Sequence, residues 1–311
     1  MAQVTKTGKR EAHHCHNITE SGGINRMILP FFKMQACGND YIFFDLLRSE
    51  LSDRISGISL PRLAARISDR HTGVGGDGLV LLRPSDTSDA FMQMFNADGS
   101  EGRMCGNALR CVGRYLRRNS GDGRDRFSVD TLSGVRYVRV PADDAAPVTA
   151  EMGQASFDPR ALPVPSAAHP LIGEKIITRD GIWCLTALSV GNPHCVLFDR
   201  DQTLPDIATV GNALNTCGLF AEGVNVSRVE IIDANRLNIR VWERGSGETQ
   251  ACGTAACAVV AAAVKNGYCS ENTDVRCQMR GGILTVRCQA DGILLTGNAN
   301  YVFRGEYEYA D

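Results

Sequence analysis

Two segments of this 311-residue chain open a helix in the same unusual way. They read "RMCGNALRCVGRYL" (Arg103–Leu116) and "QACGTAACAVVAAAV" (Gln250–Val264). Each runs cysteine, glycine, a polar residue and alanine into a stretch of good helix formers, which puts a cysteine at a predicted helix start. The first backbone N–H groups of a helix have no internal partner, and the helix dipole gathers positive charge there. A thiol in that field is expected to lose its proton more easily, and the free amides can seat a carboxylate. Gly106 and Gly253 let a ligand come close to the backbone. Asn107 and Thr254 can add a cap or a ligand hydrogen bond. One such site is a nucleophile or an anion pocket. Two of them constrain the fold, because they ask for a chain that repeats itself.

The surrounding elements agree with a repeat. "MILPFFKMQACGNDYIFFDLL" reads as strand, Gly-Asn turn, strand, and "SLPRLAARISDR" as an amphipathic helix opened by Ser59 and Pro61. "AFMQMFNADGS" is a strand entering a turn before the first Cys-Gly helix, and "RFSVDTLSGVRYVRV" alternates as a hairpin after it. The second half offers strands at "WCLTALSV" and "CVLF", an amphipathic segment near "DIATVGNAL", and strands in "NVSRVEIIDANRLNIRVWERG". The second Cys-Gly helix then leads to "DVRCQM", "GILTVRC", "GILLTG" and "YVFRGEY". Gene duplication is the economical account, giving two similar α+β domains. The Pro- and Ala-rich run "VPADDAAPV" marks the boundary and "PRALPVPSAAHP" the loop beyond it. The expected division is 27–149 plus 297–311 for the N-terminal domain and 150–296 for the C-terminal domain. Residues 1–26 are expected to be a disordered or atypical tail, with Met27 as the true start. The histidines and cysteine of "HHCH" within it could bind a metal, but a mobile tail is the preferred reading.

Several function classes fall away. Basic and acidic residues nearly balance, 33 against 35, so nucleic acid is a poor partner. The apolar runs are far short of a membrane span, and no secretory signal is evident, so the cytoplasm is the expected compartment. None of the twelve cysteines forms a C-x-x-C pair, which disfavours a zinc ribbon or a thioredoxin-like site. Most are expected to be small buried hydrophobes. "GVGGDG" (Gly73–Gly78) fits G-x-G-x-x-G, but a helix precedes it and a strand follows, the reverse of what a dinucleotide site requires.

If the halves face each other, the sulfurs of Cys105 and Cys252 can stand on opposite faces of one bound molecule. One thiolate could take a proton from a carbon while the other thiol delivers one, which inverts a stereocentre. A carboxylate held between two helix starts would be stabilised as charge builds on the α-carbon. Nothing here requires a metal or another cofactor. Two readings from other classes compete: a thiol redox or metal-binding protein, and a protein that merely holds a dicarboxylate.

The chain resembles the diaminopimelate epimerases. The resemblance rests on "KMQACGNDYIFFD", "DRHTGVGGDGLV", "FNADGSEGRMCGNALRC", "GNPHCVLF", "GVNVSR" and "RVWERGSGETQACGTAACA", in order, with "VFRGEY" near the end. It implies two pseudo-symmetric domains, each a barrel-like sheet around a central helix, with the active site in the cleft between them. It implies cofactor-free interconversion of LL- and meso-diaminopimelate, with Cys105 and Cys252 as the acid/base pair. Asn39, Asn96, Asn192 and Asn225 match residues that hold the substrate's amino and carboxylate groups. Glu243 and Arg244 match the pair that binds the distal centre, the glutamate accepting from an ammonium and the arginine gripping a carboxylate. His194 matches a position beside the cysteines, and the Gly106-Asn107 and Gly253-Thr254 backbones would seat the reacting carboxylate. Asp77 and Asp98 are read as turn and loop residues. The chain departs from the usual pattern at Gln35-Ala36-Cys37, at Gly78 and at Arg228. A racemase of proline, hydroxyproline or histidine is the nearest rival, since it would keep both cysteines without needing the Glu243-Arg244 pair. A small-molecule substrate is the expected partner, and a homodimer is compatible with the pattern.

Overall fold

The computed structural model of the protein describes residues 26–47, 49–162 and 169–310. The proposed tail with its "HHCH" cluster, and the middle of "PRALPVPSAAHP", lie outside the described residues. Arg26, assigned above to the tail, is instead the first residue of a strand and pairs with Glu308 at 2.9 Å.

The first half contains β1 (Arg26–Ala36), β2 (Asn39–Asp45), β3 (Gly78–Arg83), β4 (Ala90–Asn96), β5 (Glu101–Gly102), β6 (Arg126–Asp130), β7 (Arg136–Arg139) and β8 (Val148–Glu151). Helices α1 (Ser49–Ile55) and α2 (Leu60–Ser68) connect β2 to β3, and α3 (Gly106–Ser120) connects β5 to β6. The second half contains β9 (Glu174–Thr178), β10 (Gly181–Ser189), β11 (Pro193–Phe198), β12 (Asn225–Asp233), β13 (Arg236–Glu243), β14 (Gly247–Glu248), β15 (Val275–Met279), β16 (Gly282–Gln289) and β17 (Gly292–Gly297). There α4 (Ile207–Thr216) connects β11 to β12, and α5 (Gly253–Lys265) connects β14 to β15. The closing strand β18 (Asn300–Ala310) returns to the first half and pairs with β1.

Strand pairing repeats between the halves. β1–β2 is antiparallel, β2–β3 parallel, β3–β4 antiparallel, β4–β6 parallel, and β6–β7 and β7–β8 antiparallel. The series β10–β11, β11–β12, β12–β13, β13–β15, β15–β16 and β16–β17 has the same order of senses. β8 and β17, the last members of the two series, pair with each other and join the sheets into one. This is the two-domain, pseudo-symmetric α+β fold expected from the paired helix motifs.

Each sheet curls around its own Cys-Gly helix. α3 packs on β1, β6, β7 and β8, and α5 on β10, β11, β12, β16 and β17. α5 is buried on every side from Gly253 through Ala263, as a helix apolar all round must be. α3 is less apolar and carries two buried arginines, Arg110 and Arg114. It approaches β7 so closely that a Cβ on Gly113 would lie 2.5 Å from Val138 Cγ1 and 3.0 Å from its Cβ. A side chain there cannot be relieved by turning Val138, because the β-carbon itself is in the way.

Two local readings shift. The first hairpin turns at Cys37-Gly38, one residue before the expected Gly-Asn turn, with φ of 52° and 83°. Positive φ at both positions is the signature of a type I′ two-residue loop, and Asn39 is thereby freed to begin β2. The strand β9 and the short helix α1 carry too little apolar periodicity to stand out in the sequence. Gly113→Val is expected to cost about 3 kcal/mol through overpacking. Urea unfolding would show this as a lower midpoint, and an unchanged midpoint would contradict the close packing of α3 on β7.

Candidate active site

Cys105 and Cys252 stand at the N-caps of α3 and α5 in nearly the same backbone conformation, φ −138°, ψ 120° and φ −129°, ψ 118°. Neither side chain caps its own helix. The two helix starts abut. A Cβ on Gly253 would lie 3.6 Å from Gly106 Cα and 2.9 Å from Leu295 Cδ2. One on Gly106 would lie 3.0 Å from both Leu295 Cδ2 and Met152 Cε. The glycines therefore serve the approach of the two helices to each other, in addition to any ligand. Leu295 of β17 lies beneath both glycines, and Met152, just beyond β8, lies beneath Gly106.

Glu243, at the end of β13, links the two thiols. Its carboxylate accepts the Thr249 hydroxyl at 2.5 Å, and its charge acts on Cys252 and on Cys105. Cys252 also lies 3.4 Å from Thr254 Oγ1. Cys105 has a different companion, the Tyr41 hydroxyl at 3.1 Å.

The expectation that the helix starts would leave the thiols more acidic than usual is overturned. Burial pushes the Cys105 thiol up, against the opposing pull of the Ala108 and Asn107 amides and of the Tyr41 hydroxyl. Cys252 is raised further, first by burial and then by the Glu243 charge. Glu243 is itself raised by burial, and Asp77 adds like charge to it. The amides do act in the expected direction, but desolvation of an anion outweighs them. The pocket thus gathers four acidic groups, and a bound cation would relieve them all.

The other expected residues divide. Asn39 donates to Ala251 O at 2.8 Å, the carbonyl just before Cys252, so a first-half side chain braces the second-half helix start. Asn225 is buried, donates to Pro193 O at 3.0 Å and accepts the Arg244 amide at 3.0 Å, fixing the turn that carries Glu243. Asn192 Oδ1 accepts from His194 Nε2 at 2.9 Å. His194 is fully buried, and burial alone lowers its pKa to about 3, so it is neutral. Its hydrogen bond is to Asn192, two residues before it. Asn96 is exposed and bonds Ser100 Oγ at 2.9 Å in the turn after β4. Arg244 is exposed and donates to Glu222 O at 2.9 Å, with its guanidinium 3.8 Å from the Glu222 carboxylate. Asp98 accepts Ser100 N at 2.8 Å as a turn residue, whereas Asp77 both receives the Asp40 amide and acts on Glu243 and Tyr41.

Two residues were missed. Tyr41 lies two residues beyond Asn39 on β2, hence on the same face, and that spacing was available in "GNDY". Arg110 is fully buried, and donates to Gly106 O at 3.1 Å and Asn107 Oδ1 at 2.6 Å. Its cation sits one turn behind the Cys105 helix start and fixes the Asn107 amide, whose Nδ2 is buried without a partner among the described residues. A helical i, i+3 spacing from Asn107 was the only hint of it.

Residues 31–157 and 186–302 match the family model described as diaminopimelate epimerase. The chain is 40% identical over 283 residues to the diaminopimelate epimerase of Geobacillus kaustophilus, covering 90% of this chain and 96% of that protein. It is 39% identical over 289 residues to that of Desulfovibrio desulfuricans, covering 90% and 98%. Among solved structures it resembles a hydroxyproline epimerase from Agrobacterium vitis, with TM-score 0.66 at 13% identity over 91% of this chain and 93% of that one. A predicted epimerase from Pseudomonas aeruginosa gives TM-score 0.62 at 16% identity, covering 89% and 98%.

The buried neutral histidine sets a pH dependence of stability. His194 takes a proton in the unfolded chain near pH 6.5 but resists it in the folded protein down to about 3. Its folded pKa is depressed, so the stability it supports is present above pH 6.5 and falls as the pH drops toward 3, by about 1.4 kcal/mol per pH unit. His194→Gln is expected to shed about 2 kcal/mol less than the wild type between pH 6.5 and 4.5. Urea unfolding across that range checks it, and equal slopes would contradict a neutral buried imidazole.

Proposed function

The chain belongs to the diaminopimelate epimerase family, and from that premise we propose that Cys105 and Cys252 carry its reaction as a two-base pair. The protein is an isomerase that interconverts LL- and meso-diaminopimelate. The observation that supports the assignment is the meeting of the two helix starts at Gly106 and Gly253, with Glu243 acting on both sulfurs. One sulfur, as thiolate, removes the α-hydrogen from one face of the substrate. The other, as thiol, gives its proton to the opposite face, and the α-carbon leaves inverted. The C–H bond broken and the C–H bond formed balance, and the thiol and thiolate exchange places.

In this reading the reacting carboxylate sits on the amides of Gly106-Asn107 and Gly253-Thr254, where two helix starts stabilise charge moving off the α-carbon. The substrate's ammonium supplies the positive charge that the acidic pocket lacks. Its arrival lowers the cost of a thiolate beside Glu243 and makes the base available only when there is a carbon acid to attack. The distal amino-acid end is assigned to Glu243 and Arg244, the latter turning from Glu222 to a substrate carboxylate. Asn39, Asn192 and Asn225 orient the groups around the reacting centre, with Asn96 at the rim and His194 holding Asn192. Residues 27–149 with 297–311, and 150–296, are the proposed domains, and the cytoplasm the proposed compartment. No helix among the described residues is long and apolar enough to cross a membrane.

Cys105→Ser and Cys252→Ser are each expected to lower epimerisation by roughly a thousandfold or more, since a serine hydroxyl is a far poorer base and acid near neutral pH. Conversion of LL- to meso-diaminopimelate, followed by chromatography of the stereoisomers, reads the loss. Near wild-type conversion by either variant would remove that cysteine from the chemistry.

A further inference from the structure

The two thiols stand at adjoining helix starts but in different surroundings. Cys105 is met by the Tyr41 hydroxyl at 3.1 Å. Tyr41 is buried, with 4% of its surface exposed, and lies on the same strand face as Asn39, whose side chain donates to Ala251 O beside Cys252. Cys252 instead faces the Glu243 carboxylate and the Thr254 hydroxyl. A phenol proton can stabilise a sulfur anion, whereas a carboxylate can only accept the proton of a sulfur that keeps it.

We propose that Tyr41 is a further catalytic residue, whose hydroxyl donates to Cys105 Sγ and makes Cys105 the sulfur that ionises first, while the Glu243 charge disfavours a thiolate at Cys252. The inference rests on the two-base reading above and adds a direction to it. When the pair ionises it does so mainly in one of its two protonation states, so it is poised for the stereoisomer whose α-hydrogen faces Cys105. After each turnover in that direction the proton must leave Cys105 and one must return to Cys252.

The groups facing Cys105 are Tyr41 from β2, Glu243 from β13 and Cys111 from within α3, together with the Asn107 and Ala108 amides. Glu243 opposes the thiolate; the amides and the phenol favour it. Tyr41 keeps its own proton, because burial and the neighbouring sulfur both raise it well above the usual phenol range, with Asp77 adding to this. It therefore acts as a donor and does not compete as an anion.

The test is the rate of alkylation by iodoacetamide at each cysteine against pH, resolved by peptide mass spectrometry, on the wild type and on Tyr41→Phe. In the wild type Cys105 should show the lower pH midpoint. In Tyr41→Phe alkylation of Cys105 near neutral pH should slow by about tenfold, as expected on losing a hydrogen bond to a charged group, with its midpoint moved up and that of Cys252 little changed. A lower midpoint at Cys252 in the wild type, or an unmoved Cys105 midpoint in a folded Tyr41→Phe, would overturn the proposal. The wild-type comparison stands even if the variant does not fold. Because alkylation reports ionisation without turnover, its failure is separable from failure of the two-base reading, which Cys105→Ser and Cys252→Ser address.

Discussion

The contact on which the rest of the structure depends is the one between two helix starts, at Gly106 and Gly253. Helix N-termini carry partial positive charge and unpaired amides, so two of them brought together repel unless something anionic or polar stands between. The fold forces the approach. Each helix is enclosed by its own sheet, the sheets are joined along β8 and β17, and Leu295 from that seam is the floor on which both glycines rest. With no side chain at either glycine, the amides meet across a gap that a substrate carboxylate is suited to fill.

Burial sets the conditions of the chemistry. A wet pocket would leave both thiols near their ordinary acidity and would let water quench a carbanion. The buried one raises both thiols and Glu243 together, so that ionisation becomes conditional on a cation entering. This couples binding of an ammonium-bearing substrate to creation of the base. It also distinguishes two sulfurs that duplication alone would make equal, since Tyr41 and Glu243 occupy non-equivalent places.

Much of this was legible in the sequence because the informative residues are local. The Cys-Gly helix starts, the amphipathic α2 behind Ser59-Pro61, and the alternating strands each carry their signal within a few residues. The repeat of the helix motif was enough to imply two like halves. What the sequence hid was the balance between opposing long-range effects. The helix-start amides argue for acidic thiols, and only the enclosed site shows that desolvation of Cys252 and the Glu243 charge outweigh them. His194 sits near Asn192 in sequence and in space, yet its burial, which makes it a neutral scaffold for Asn192, depends on strands far from it along the chain. Arg110 looked like an ordinary helix arginine, because its partners Asn107 and Asn298 O are brought together by α3 and the connection before β18.

The central claim is that two different bases work on opposite faces of one carbon. It is tested most directly by the first turnovers of LL-diaminopimelate in D2O, with the stereoisomers separated and deuterium located by mass spectrometry. The thiol that delivers the proton has exchanged with solvent beforehand, so meso product should carry deuterium at the inverted α-carbon while recovered LL substrate carries none. Deuterium entering LL substrate as fast as meso product, or product that keeps its original hydrogen, would mean that a single base serves both faces.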